Sequence, residues 1–309
     1  MLADSRIAAP ARTQTATAEP VKGRAQWRDA ALRFAHNRAA LFSTVVLVLV
    51  LLFTILGPFF AAWSIEKIDW SIIGSVADVG GPSLESGHYF GADELGRDLY
   101  SRTIQGTEVS LGVGILGSAV AVVIGTIYGA IAGYFGGRLD SAMMRFVDIF
   151  YSIPFLFILI LMLIIFGHSF VVLFTGIGLI SWLGMARIVR GQTLTLKNRE
   201  FVEAAIATGV RPFSVVFRHI VPNLLGIVVV YTTLLIPEII LLESFISFLG
   251  LGIQEPNTSL GALISEGAAT MQYGELWQIG FPLLFFVIIL FSFFFIGDGL
   301  RDALDPKDR

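Results

Sequence analysis

Long stretches without a charged side chain are the feature that most limits what this chain can fold into. Residues 40–62 contain no Asp, Glu, Lys or Arg, and several later stretches are nearly as apolar. An α-helix needs roughly 20 apolar residues to cross the hydrocarbon core of a bilayer. Because 55% of the 309 residues are hydrophobic and only 15% are charged, the composition excludes a single water-soluble domain. The chain is predicted to be an all-α polytopic membrane protein.

Six apolar stretches are long enough to serve as transmembrane helices. They are residues 40–62, 109–134, 146–167, 170–186, 222–247 and 281–296. We expect Pro154 to kink the third helix, because a proline inside a helix removes a backbone hydrogen bond. The second helix has glycines four residues apart, a spacing that lets membrane helices approach closely.

Positive charge is distributed unevenly among the connecting segments. Of the 21 Lys and Arg residues, 18 lie in four segments, residues 1–39, 136–145, 187–222 and 298–309. Cytoplasmic segments of membrane proteins are enriched in Lys and Arg. These four segments are therefore predicted to face the cytoplasm, with both termini inside. The acidic segment 63–108 is predicted to be periplasmic, and residues 248–280 are predicted to form an outer re-entrant or interfacial loop with one short helix.

The leader, residues 1–39, leaves two interpretations open. From Gln26 to Asn37, apolar residues recur on one helical face with arginines opposite. This pattern is typical of a helix that lies along the inner membrane surface. A solvated basic tail accounts for the same composition.

A mixed polar segment, Arg199 to Pro222, lies between two predicted transmembrane helices. Residues 200–208 are rich in Ala, Glu and Ile and favour a short helix, which Gly209 can end in the left-handed conformation. Pro212 suits the first position of a second short helix. The segment is therefore predicted to be a helix-turn-helix too short to cross the membrane.

The same segment resembles the EAA loop of the membrane subunits of bacterial ABC importers. The resemblance rests on Glu203-Ala204-Ala205, on Gly209 four residues later, and on His219 and Pro222. It implies a coupling helix that sits in a cleft on an ATP-binding subunit. The coupling residues are then Glu200, Glu203, Ala204, Ala205 and Gly209. An alternative is that the small residues only let two helices pack closely.

A second motif, GADELGRDLYSR at residues 91–102, resembles the GTDxxGRDxxSR signature of dipeptide, oligopeptide and nickel importer permeases. Ala92 replaces the usual Thr. We interpret the motif as structural, or as a docking site for an external binding protein. Alternatively, its charges form a surface network of ion pairs, each of which contributes little to stability.

The resemblance extends over nearly the whole chain. The stretches HNRAALFS, SWLGMARIVRGQTLTLKNREFVEAA, HIVPN, SFISFLGLGIQEP and GDGLRDALDP are similar to the C-type permease subunit of oligopeptide ABC importers. This implies a type I ABC importer permease fold, with the ABC transmembrane domain at residues 109–297. It also implies four kinds of partner: the lipid bilayer, a homologous B-type permease, two subunits that bind ATP and Mg²⁺, and an external peptide-binding protein.

Several chemistries are excluded by the sequence. It has no GxxxxGK[ST] phosphate-binding loop, so the chain is not expected to bind ATP or any other cofactor itself. Four scattered histidines and no cysteine argue against a metal site, and no Ser/His/Asp set has a recognisable spacing. A net charge of −3 does not indicate a basic surface that binds nucleic acid. The chain is therefore predicted to have no catalytic residues and not to be an enzyme.

One carboxylate in the fifth apolar stretch is a candidate for the translocation path. A charge inside a bilayer costs about 2.5 to 3.5 kcal/mol, so Glu238 should face a cavity or a partner. Protonation, or a position in the membrane interface, would account for Glu238 equally well.

Three functions follow from these features. The first is a permease of an ATP-driven oligopeptide importer, with permeases for dipeptides, nickel or another small solute as variants. The second is a proton-coupled transporter that uses Glu238 or Glu243 as carrier, although no paired repeats are visible. The third is a membrane anchor, which would need neither a polar path nor an EAA loop.

Overall fold

The structure is a computed structural model that describes residues 26–304, and this part of the chain is helical. Twelve α-helices occur in the described residues: α1 Gln26–His36, α2 Arg38–Phe60, α3 Val76–Val79, α4 Leu99–Phe135, α5 Gly137–Ser152, α6 Phe155–Phe166, α7 Phe170–Leu196, α8 Glu200–Ala207, α9 Pro212–Val215, α10 Val221–Phe248, α11 Leu260–Thr270 and α12 Leu276–Leu304. A π turn, Val216–Ile220, joins α9 to α10, and a 3₁₀ turn, Met271–Tyr273, follows α11. Of the predicted leader and tail, residues 1–25 and 305–309 lie outside the described residues.

Five helical stretches are long and apolar enough to cross a membrane, or six if a bent pair is counted as one. The five are α2, α4, α7, α9 with α10, and α12. The bent pair is α5 and α6, whose axes differ by 78°. The prediction of an all-helical membrane protein with several transmembrane helices is thus confirmed.

The third predicted transmembrane helix, residues 146–167, is wrong as a single kinked helix. Ile153 takes an extended conformation (ψ 126°), so α5 ends at Ser152 and α6 begins at Phe155. The ring of Pro154 disfavours helical geometry at the preceding residue, which accounts for the break. With 12 residues α6 is about 18 Å long, too short to cross a bilayer alone. The predicted inner loop, residues 136–145, is largely the start of α5.

The second transmembrane helix also begins earlier than the sequence predicts. It starts at Leu99 rather than at residue 109, because the side chain of Asp98 accepts a hydrogen bond from the backbone amide of Ser101 at 2.9 Å and caps the helix. With 37 residues α4 is about 55 Å long and extends beyond a bilayer core of about 30 Å. Part of the predicted periplasmic segment 63–108 is therefore helical.

The packing of α4 against α7 forms the centre of the bundle. Three glycines of α4, Gly125, Gly129 and Gly133, face the backbone of α7. A Cβ atom at Gly133 would lie 2.9 Å from the carbonyl oxygen of Arg190, and one at Gly129 would overlap the carbonyl oxygen of Ala186. The close approach that the four-residue spacing predicts is confirmed.

The bundle has two ends. At one, here called the loop end, lie α8, α9 and the neighbouring ends of α4 and α7. At the other lies a cap, defined as residues 61–98 and 249–275. The cap contains α3 and α11, and α11 is the short helix predicted in segment 248–280. Helix α1 also lies at the loop end, where it packs against α12 and α2. Of the two structures considered for the leader, this part thus adopts the helix.

Candidate functional site

Helix α8 is an exposed helix at the loop end of the bundle. It begins after Arg199, whose backbone is extended (ψ 147°), and carries Glu200 and Glu203 in its first turn. Negative side chains at a helix N-terminus interact favourably with the helix dipole. Both carboxylates are exposed and are free to meet a partner.

The C-terminus of α8 requires a glycine. Gly209 has φ +80°, and the amide of Val210 donates to the carbonyl of Ala205 at 3.1 Å, a bond typical of a helix that ends in a left-handed residue. The hydroxyl of Thr208 also donates to the carbonyl of Ala205, at 2.9 Å. The predicted left-handed stop at Gly209 is confirmed.

The inner face of α8 anchors it to the bundle. Val202 is 0% exposed and Ala205 is 7% exposed, and both pack against the helix that follows. Their hydrophobic cluster also contains residues of α4, α7, α9, the π turn and α10: Ala130, Met185, Val189, Val215, Val216, Ile220, Leu224 and Val228. A small residue at 205 lets α8 approach closely, whereas Ala204 lies on the exposed side with the two glutamates. Close packing therefore applies to Ala205, whereas Glu200, Glu203 and Ala204 are exposed.

The second helix of the EAA segment, residues 199–222, is not short, which corrects the predicted helix-turn-helix of two short helices. Pro212 begins α9 as predicted, but helical structure continues through the π turn and α10 to Phe248. Pro222 has no amide hydrogen to donate to the preceding turn, and the backbone widens there, with the amide of Val221 bonded to the carbonyl of Val216. The segment that carries α8 is thus directly joined to a helix that crosses the whole bundle.

Two polar contacts hold the neighbouring helices together at the loop end. The guanidinium of Arg190 on α7 donates two hydrogen bonds to Asp140 on α5, at 2.5 and 2.6 Å. The ammonium of Lys197 donates to the carbonyl of Gly133 on α4 at 3.1 Å. Paired hydrogen bonds between a guanidinium and a carboxylate fix orientation as well as distance.

The predicted path residue, Glu238, lies on an outward face of α10. Its side chain is exposed, and within residues 26–304 no hydrogen bond or ion pair to it is found. It is ten residues from Phe248, or about 15 Å along the helix, so it lies deep in the transmembrane part of α10. The same face carries large exposed side chains, Tyr231, Leu241, Phe245 and Phe248. Glu238 therefore does not face the inside of this chain.

Sequence analysis missed the structural role of Glu243. This residue is 0% exposed and accepts hydrogen bonds from Ser110, Ser244 and Ser247. Burying a carboxylate is costly unless hydrogen-bond donors surround it. Ser247, four residues after the glutamate, was the available signal, because position i+4 lies on the same face of a helix.

The GADELGRD motif forms the centre of a charged cluster in the cap. One carboxylate oxygen of Asp93 accepts from Arg97 at 2.7 Å and from Arg102 at 2.6 Å. Arg97 also donates to Glu255 at 2.6 Å, and Arg102 donates two bonds to Glu266 on α11. The Arg102 side chain is only 2% exposed, so this part of the ion-pair network is buried, whereas the pair of Arg97 with Glu255 lies at the surface. The motif joins the start of α4 to the loop before α11 and to α11 itself.

The cluster affects the protonation of its most exposed member. The guanidinium of Arg97 donates a hydrogen bond to Glu255 and holds the pKa of that carboxyl below its usual value. The pair therefore stabilises the cap above the ordinary pKa of a glutamate, and that contribution is lost as the pH falls through the lowered pKa. Since the Glu255 side chain is 60% exposed, the effect on stability is small.

The sequence was compared with those of known proteins. A family model described as "Binding-protein-dependent transport system inner membrane component" matches residues 125–309. The chain belongs to this family. A second model, described as the N-terminal TM domain of oligopeptide transport permease C, matches residues 25–74. As a member of the family, the chain is a multi-pass inner-membrane component of a transport system.

Curated relatives in the family match almost the whole chain. The oligopeptide transport system permease protein OppC of Escherichia coli (strain K12) is 54% identical, over 94% of this chain and 94% of the relative. OppC of Haemophilus influenzae is 51% identical, over 94% and 91%. The dipeptide permease DppC of Bacillus subtilis is 39% identical, over 91% and 86%. All three are named as permeases, not enzymes, and the resemblance found in the sequence is confirmed.

A solved structure has the same fold. It shows inward-facing conformations of the MetNI methionine ABC transporter, and one chain superposes with a TM-score of 0.52 at 20% identity. The match covers 65% of the present chain and 95% of the other. At this identity the likeness concerns the fold, and it confirms the ABC importer permease architecture.

Proposed function

We propose that this chain is a membrane-spanning permease subunit of an ATP-driven oligopeptide importer and forms half of its translocation path. The identity of 54% over 94% of the chain to an oligopeptide permease carries this proposal. Permeases for dipeptides form the second candidate, which the 39% identity to DppC supports less strongly. Nickel or another small solute of the same family is a further alternative.

The proposed complex has four further protein subunits. They are a homologous B-type permease, two ATP-binding subunits and an external peptide-binding protein. ATP and Mg²⁺ are bound by the ATP-binding subunits, since the chain has no phosphate-binding loop of its own. The outward apolar face of α10 supports a second permease as partner, because a face that carries Glu238 is costly to expose to lipid. In the complex Glu238 would line the path between the two permeases.

We place the loop end in the cytoplasm and the cap in the periplasm. Lys and Arg predominate in the segments at the loop end and acidic residues predominate in the cap, which supports this orientation. The leader 1–39, the EAA segment 199–222 and the tail 298–309 are then all cytoplasmic. The cap is accessible to the external binding protein.

The proposed mechanism is alternating access driven by α8. The exposed residues Glu200, Glu203, Ala204 and Gly209 dock on an ATP-binding subunit, while Ala205 and Val202 fix α8 to the bundle. Closure of the ATP-binding subunits then moves α8 together with α9 and α10. Shifting such an equilibrium from 1:99 to 99:1 takes about 5.5 kcal/mol of differential binding, so α8 must be held differently in the two states.

The proposal is tested by uptake of a labelled oligopeptide into proteoliposomes that contain the complete complex. Glu203→Lys reverses a charge on the exposed face of α8, so peptide uptake should fall while ATP hydrolysis continues. Asp298→Lys is the matched control, since it reverses an exposed charge on α12 instead of α8. Uptake unaffected by Glu203→Lys would overturn the role of α8.

The same preparation separates the other functions. An ATP-driven importer takes up peptide after a protonophore collapses the proton gradient, whereas a proton-coupled transporter does not. Competition by dipeptides, pentapeptides and Ni²⁺ distinguishes the substrate classes. A membrane anchor shows no uptake with any of them.

A further inference from the structure

The cap end of α10 is joined to α4 through one buried carboxylate. Ser247 donates to Oε1 of Glu243 at 2.7 Å, and Ser110 of α4 donates to Oε2 at 2.9 Å. Ser244 also donates to Oε2, at 3.2 Å. Each carboxyl oxygen has two lone pairs, so the two oxygens can receive all three hydroxyl groups at once. Hydroxyl groups of α4 and α10 thus bind the same carboxyl group.

Further hydrogen bonds connect Ser110 to the start of α11. The hydroxyl of Ser110 donates to Glu243 and accepts from the amide of Leu260, the first residue of α11, at 3.2 Å. Ser259 caps the same helix, accepting from the amide of Ala262 at 3.3 Å. The start of α11 is therefore positioned by the serine that Glu243 orients.

The loop between α10 and α11 also presses directly on this turn of α10. A Cβ atom at Gly252 would overlap the side chain of Ser247, and one at Gly261 would overlap the backbone of Ser244. Only glycine fits at these two positions. The cap thus packs against the turn of α10 that carries Glu243, with no gap between them.

The far side of the same cap segment is held by the charged cluster. Arg97 binds Glu255 in the loop, and Arg102 binds Glu266 on α11. Both arginines belong to the region around the start of α4. The loop and α11 are consequently fixed on two sides. The two arginines hold them near the start of α4, and on the side of α10 they are held by the packing at Gly252 and Gly261, by a hydrogen bond from Ser265 to the carbonyl of Phe248, and through Ser110 by Glu243.

At its other end α10 continues without a break to Pro212, and a turn at residues 208–211 joins it to α8. The helical stretch Pro212–Phe248 has 37 residues and is about 55 Å long. Val202 and Ala205 fix α8 against the start of this stretch. The cap and α8 are therefore attached to opposite ends of one helix.

We propose that Glu243 is a positioning residue that transmits docking of the external binding protein on the cap to α8. The inference rests on the proposed function, which supplies both partners. With Glu243 in place, a displacement of the cap moves α10 and hence α8. Without it, the hydrogen-bonded link from α10 through Ser110 to the start of α11 is lost, and less of the displacement reaches α10.

The test uses the complete complex in lipid nanodiscs, with ATP hydrolysis measured alone and with saturating peptide-loaded binding protein. Glu243→Gln keeps the shape but replaces one acceptor oxygen by a donor, so at least one hydroxyl loses its acceptor. We expect the stimulation by the binding protein to fall at least about fivefold while basal hydrolysis stays within about twofold. Ser110→Ala should act in the same direction and leaves the carboxyl group of Glu243 in place.

A second readout separates transmission from a merely structural role. Coupling between two binding sites is reciprocal, so in the wild type ATP changes the affinity of the complex for the binding protein. In Glu243→Gln that affinity should no longer depend on ATP, whereas the affinity without nucleotide stays the same. Ser118→Ala is the matched control, because this buried serine of α4 bonds only to Ile115 in its own helix.

The outcomes are distinguishable. Full stimulation in both Glu243→Gln and Ser110→Ala overturns the inference. So does an equal loss of basal and stimulated hydrolysis, which would mean that Glu243 only stabilises the complex. A wild-type complex that the binding protein does not stimulate overturns the proposed function itself, whatever the variants show.

Discussion

At the scale of single residues, α8 shows how one motif combines two physical demands. Ala205 is small because α8 must approach the bundle, while Glu203 and Ala204 on the other side have no packing reason to be what they are. Gly209 differs from both. A Cβ atom there would have no neighbour within 4 Å, so its φ of +80° alone selects glycine.

Replacing Gly209 by valine should therefore weaken the coupling of ATP hydrolysis to peptide uptake. The added side chain enters open space, so steric overlap is not the cause. A left-handed conformation costs a non-glycine residue about 1–2 kcal/mol, and we expect α8 to lose its fixed end. Peptide uptake per ATP hydrolysed should fall in proteoliposomes. Gly274→Val is the control. Like Gly209, Gly274 has a positive φ (+87°) and open space around it, but it lies in the cap. Equal effects of both variants would show that general strain, not α8, is responsible.

At the scale of helices, the sequence predicts where apolar helices occur but not how neighbouring helices join. Three prolines, Pro58, Pro237 and Pro282, lie inside continuous helices. Pro154 instead separates two helices bent by 78°. All four have the same local chemistry, so the outcome depends on what each helix packs against. Asp98 is a residue type typical of helix N-caps, yet the apolar pattern placed the start of this helix at residue 109. The continuity of α9 with α10 required the tertiary structure.

The contact between α4 and α7 gives a prediction at this scale. Gly129→Leu would force a side chain against the backbone of Ala186, and we expect it to cost about 1–3 kcal/mol or more as an overpacked core does. The purified protein should unfold at a lower temperature in a detergent-based thermal assay. Gly191→Leu is the control on α7, because a Cβ atom there has no neighbour within 4 Å. Equal melting temperatures for the two variants would contradict the packing argument.

At the scale of the whole molecule, a large part of the surface is apolar. It belongs to helices that we expect to lie in the membrane. The outward face of α10 and most of α6 expose large side chains, and the neighbour that covers them, lipid or a second permease, lies outside this chain. This is why the role of Glu238 could not be derived from the sequence. The EAA segment could be identified because its chemistry is local. The contact at Glu243 joins residues more than a hundred positions apart, so no local pattern predicts it.

Orientation in the membrane is the prediction that tests the whole arrangement, and the absence of cysteine from the sequence makes it accessible. Leu84→Cys places a thiol at a side chain that is 86% exposed in the cap, and Ala207→Cys places one on the exposed side of α8. A membrane-impermeant maleimide should label Leu84→Cys in intact spheroplasts and Ala207→Cys only in inverted vesicles. Addition of the ATP-binding subunits to stripped inverted vesicles should protect Ala207→Cys, because docking covers that face. Labelling of Ala207→Cys from outside would reverse the topology and remove α8 from any contact with cytoplasmic ATP-binding subunits.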